Sequence, residues 1–111
     1  MLTDRLTRLL EFYRNEPSDP FLKYALATEY LRLNDRDKAL EFYEDLTANH
    51  PDYVGTYYHL GKLYEQLGRK DDALFTYKKG MDAAFAARDA HARNELQAAW
   101  NEAQGWDDDD D

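Results

Sequence analysis

The chain has 111 residues, three prolines, five glycines, no cysteine and a formal net charge of −9. That length sets one modest core, the lack of thiols excludes disulfides and suits a reducing compartment, and the acidity disfavours neutralisation of nucleic-acid phosphates. No apolar run approaches a membrane span, and the opening MLTDRLTRLLEFY is too charged for a secretory leader, so a cytoplasmic location is expected.

In chain order, residues 3–15 place Leu6, Leu9, Leu10 and Tyr13 on one helical face, and Pro17 closes the segment. Residues 20–51 then read as a helical hairpin. Leu26, Tyr30 and Leu33 share one face, Ala39, Leu40 and Tyr43 another, and NDRD at 34–37 breaks between them. Residues 54–85 repeat the arrangement with Leu60, Tyr64 and Leu67, the break GRKD, and Ala73, Leu74 and Tyr77. Asn34 and Gly68 are the residue types that best tolerate the left-handed conformation ending a helix. The two segments align at an interval of 34 residues with eight identities, seven of them apolar or aromatic and all at helical spacing. Residues 89–104 give a last helix with Asp89 as its cap and a stripe of Ala92, Leu96, Ala99, Trp100 and Ala103. Trp100 reads there as the plug of the final hairpin.

This pattern resembles the tetratricopeptide repeat family. Tyr57, Leu60, Gly61, Tyr64, Gly68, Ala73, Tyr77 and Gly80 carry the resemblance in the second copy. Leu26, Ala27, Tyr30, Asn34, Ala39, Tyr43 and Pro51 carry it in the first, with Lys23 and Leu46 departing in the large and late small slots. The resemblance implies an all-α fold, a short right-handed α-solenoid of antiparallel helix pairs. Two repeats, flanked by an N-terminal helix and a capping helix, form a single domain over 1–106. Small residues let the helices of a hairpin approach closely while Leu and Tyr fill the space between pairs.

Nothing in the sequence resembles a phosphate-cradling loop, a nucleophile elbow or a paired metal site, so neither catalysis nor a cofactor is expected. His91 and Glu95, four apart on one helix, read as a surface pair or as two weak metal ligands. The family resemblance places a binding groove on the first helices of the repeats. Its positions here are Phe21, Tyr24, Thr28 and Leu31, then Gly55, Tyr58, Lys62 and Glu65, with Arg93 and Gln97 added by the terminal helix. The aromatics offer rigid contact area or finish the edge of the core, and Lys62 and Arg93 are suited to a carboxylate. Gly105 is expected to end the last helix, and the five aspartates 107–111 to form a disordered tail, either solubilising or a docking motif with Trp106. The function implied is a non-catalytic protein–protein interaction module holding a peptide of a partner protein in its concave groove, with no nucleic-acid or membrane partner. The alternative is weak self-assembly, a homodimer through the end helices or the acidic tail.

Overall fold

The structure, a computed structural model, describes the backbone of residues 2–108 and the side chains of residues 2–105. Six helices and no strand occur among the described residues. The chain divides into two compact units, Met1–His50 and Pro51–Asp111. The division falls between the repeats, at a proline that cannot continue a helix.

The first unit holds α1 (Asp4–Asn15), α2 (Pro20–Arg32) and α3 (Arg36–Asn49). Each helix begins on a side-chain cap: Thr3 accepts from the Leu6 amide, Asp19 from Phe21 and Asp35 from Lys38. Leu6, Leu9, Leu22, Ala25 and Leu26 form the core, joined by the partly buried Leu10, Tyr13, Tyr30, Leu33 and Phe42. Phe42 of α3 sits edge-on to Tyr13 of α1 at 5.5 Å and stacks on Tyr30 of α2 at 5.9 Å, so one ring joins three helices. A buried carboxylate, Glu29, ties α1 to α2. It accepts from the Thr3 hydroxyl at 3.1 Å, pairs with Arg32 at 2.6 Å and lies 3.4 Å from Arg5. The Arg32 hydrogen bond, outweighing the cost of burial, holds the Glu29 carboxyl below its ordinary range.

The second unit holds α4 (Gly55–Gln66), α5 (Lys70–Ala86) and α6 (Ala90–Asp108), each packed on the other two. Two glycines make this packing. A β-carbon on Gly61 would lie 2.1–2.6 Å from three atoms of the Tyr77 ring, and one on Gly80 would lie 2.5 Å from the Tyr57 β-carbon. Tyr57 and Tyr77 therefore pack directly against helix backbone, and both are almost fully buried. Leu96, Ala99 and Ala103 carry α6 into the core. Trp100, expected as the plug, is half-buried at the margin with the Lys78 ammonium 4.8 Å from its ring centre. Ala99 and Ala103 take the buried positions of α6, and the lysine covers the indole at the edge.

All three hairpin turns close alike. Asn34, Gly68 and Arg88 take positive φ (64°, 73° and 57°). The residue after each returns its amide to a carbonyl five positions back: Asp35 to Tyr30, Arg69 to Tyr64 and Asp89 to Ala84. The turn at Arg88 was not legible in the sequence, because arginine is an unfavourable left-handed residue. At the other end, α6 does not stop at Gln104 as expected. A helix stops at glycine when the glycine turns left-handed, and Gly105 is not among the positive-φ residues described. The backbone of Asp107 and Asp108 thus continues the helix. Residues 109–111 and the Trp106 side chain lie outside the described residues.

Gly61→Ala is expected to destabilise the chain by about 1–3 kcal/mol, because the added methyl meets the Tyr77 ring inside van der Waals distance. Thermal or urea denaturation followed by circular dichroism measures it, and an unchanged midpoint would contradict the packing described.

Candidate functional site

On α2, Phe21, Tyr24 and Thr28 fall three and four residues apart and so share a helix face. Phe21 is 59% exposed. Tyr24 is partly withdrawn, its ring edge-on to Tyr43 at 6.3 Å, and burial raises the pKa of both phenols. Thr28 donates back to the Tyr24 carbonyl at 2.9 Å and meets the Tyr43 hydroxyl at 3.2 Å. Of the three, Phe21 presents the largest open apolar surface.

On α4, Tyr58, Lys62 and Glu65 occupy the same kind of stripe. The Tyr58 ring, 36% exposed, has the Lys62 ammonium 5.5 Å from its centre. That ammonium lies 3.9 Å from Glu65 Oε2 and 3.7 Å from Glu102 Oε1 of α6. Glu65 in turn accepts a hydrogen bond from the Tyr77 hydroxyl. A cleft of about 260 Å³ runs along this face, lined by Tyr58, Lys62, Glu95, Ala98, Ala99 and Glu102. His59 lies beside it, edge-on to Tyr58 at 5.8 Å. Burial lowers its pKa and the Glu95 charge opposes that shift.

Arg93 is not brought to this face. Its guanidinium lies over the Phe85 ring at 5.4 Å, lining a separate cleft of about 480 Å³ at the turn between α5 and α6 with Ala84, Arg88 and Asp89. Residues Glu95, Ala98, Ala99 and Glu102 of α6 stand beside α4 instead. Their three- and four-residue spacing was readable as a helix face, and the two alanines leave room for the approach of Tyr58 and Lys62. Which neighbour that face meets was not readable. His91 Nε2 lies 3.3 Å from Glu95 Oε2 on the exposed side of α6. No group of three or more His, Cys, Asp or Glu able to hold a metal occurs among the described residues. Nor is any helix among them long and apolar enough to cross a membrane.

Burial, then the hydrogen bond to Glu65 and its charge, push the Tyr77 phenol far above the ordinary value of 10.0. A raised folded-state pKa means that the contribution to stability is complete below the unfolded value near 10.0. It is lost as the pH climbs from there through the folded value. The melting temperature is therefore expected to fall above about pH 10, and less steeply in Tyr77→Phe. Melts recorded between about pH 8 and 11 test this, and identical slopes in both proteins would reject it.

A family profile described as Tetratricopeptide repeat matches residues 30–99. The crystal structure of a tetratricopeptide repeat domain protein from Salinibacter ruber is 49% identical, covers 78% of this chain and 97% of its own, and superimposes with a TM-score of 0.76. A solution structure of a tetratricopeptide repeat domain protein from the same organism is also 49% identical, covers 81% and 91%, and has a TM-score of 0.78. TPR repeat-containing protein MJ0940 of Methanocaldococcus jannaschii is 42% identical over 72 residues, 63% of this chain, and the match spans only 22% of that larger protein.

Proposed function

This chain belongs to the tetratricopeptide repeat family, and we propose that it is a non-catalytic interaction module that binds a peptide segment of a partner protein on the first-helix face of its repeats. The observation that supports this reading is the equivalence of Tyr24 and Tyr58. They stand at one repeat position, and in each unit the ring is turned neither wholly into the core nor wholly into solvent. In the first unit Phe21 and Thr28 accompany Tyr24 on α2, and in the second Lys62 and Glu65 accompany Tyr58 on α4. Rigid aromatics with a polar rim are the composition that concentrates binding energy in small interfaces. The cysteine-free sequence fits a cytoplasmic setting.

Phe21→Ala with Tyr58→Ala is expected to reduce capture of the partner from a lysate of the source organism by about tenfold, with the helical circular-dichroism spectrum unchanged. Undiminished capture by the folded double variant would refute the assignment of the face.

Self-assembly is the second reading. It draws on Phe12 of α1, the first helix, and Phe85 near the end of α5, which are 59% and 69% exposed. Light scattering of the full chain separates the two. A monomer mass is expected for the first reading, and a mass that doubles with concentration for the second.

A further inference from the structure

We propose that the face between α4 and α6 receives a cationic side chain, arginine or lysine, of the partner peptide. This rests on the peptide-binding reading above and specifies the partner's chemistry. The sequence pattern suits Lys62 to a partner carboxylate, but the structure engages that lysine within its own unit. It lies between Glu65 at 3.9 Å and Glu102 at 3.7 Å, against the Tyr58 ring. An incoming carboxylate would have to compete with two carboxylates already in place.

Three carboxylates, Glu65, Glu95 and Glu102, thus share the face with one lysine. His91 also adjoins Glu95 at 3.3 Å, and the Glu95 charge acts on His59. Glu95 and Glu102 are 56% and 61% exposed, and each carboxylate has acceptor sites beyond its present partner. Ala98 and Ala99 leave space between these two acids in the 260 Å³ cleft. The Tyr58 ring, 36% exposed and facing the Lys62 ammonium at 5.5 Å, is a surface that attracts cations. A net charge of −9 on the whole chain draws a basic segment towards it.

The test uses fluorescence anisotropy of the full chain with two labelled nonapeptides, GARAYARAG and GAEAYAEAG, at pH 7.5 in about 0.1 M salt, where screening acts over roughly 10 Å. The arginine peptide is expected to bind, and Glu95→Gln with Glu102→Gln to weaken it by about tenfold. Lys62→Gln is expected to tighten it roughly threefold by removing a like charge. Neutralising Asp107 to Asp111 as asparagines serves as the control for diffuse attraction, and the affinity should stay within about twofold. Arginine-peptide binding that follows the five aspartates and ignores Glu95 and Glu102 would overturn the proposal. So would preference for the glutamate peptide, or binding of neither peptide. If the glutamate peptide binds and Tyr58→Ala abolishes it, the peptide-binding face survives and only the cationic partner is lost.

Discussion

A tyrosine ring occupies the place where residue 61 would carry its β-carbon, and the second unit is built around that contact. Tyr77 packs on bare helix backbone at Gly61, Tyr57 does the same at Gly80, and the three helices close to the distance these contacts allow. Dispersion contacts of a large planar group against backbone are numerous, and any filling of the gap turns them into repulsion. The glycines matter here for what they lack, since neither Gly61 nor Gly80 needs an unusual backbone angle.

The first unit reaches the same hairpin by a different division of volume. Where the second has Tyr57 with Gly80, the first has Lys23 with Leu46, so the larger apolar residue has moved to the other helix. Lys23 is buried, and its ammonium reaches Asp45 at 2.9 Å, which compensates for the loss of water. Glu29 likewise stands at the repeat position of Leu63, both nearly inaccessible. The carboxylate is tolerated because α1 supplies Thr3 and Arg5 and α2 supplies Arg32. A polar group in a core position here marks the docking of an extra helix.

Core and surface are coupled at Tyr77. Its ring fills the hairpin while its hydroxyl donates to Glu65, which helps to hold Lys62 beside Tyr58. The charge pattern of the candidate face is thus set partly from inside. A lysine that looks available on a helical projection is already engaged, and the face becomes more acidic than its sequence suggests.

Helix number, the repeat interval, the cap at Asp89, and the left-handed turns at Asn34 and Gly68 were legible in the sequence. Each follows from the preferences of one residue or from a short periodic pattern. Tyr58, Lys62 and Glu65 were named through the family resemblance, which supplies the groove positions of a repeat. Only the folded chain decided which α6 face meets α4, and therefore that Glu95 and Glu102 join the stripe while Arg93 turns to Phe85. It alone also decided that Trp100 sits at the margin, that an arginine takes the third left-handed turn and that α6 passes Gly105. These outcomes depend on the rotation of one helix against another. That rotation is set by side-chain volumes far apart in the chain, which local spacing does not contain.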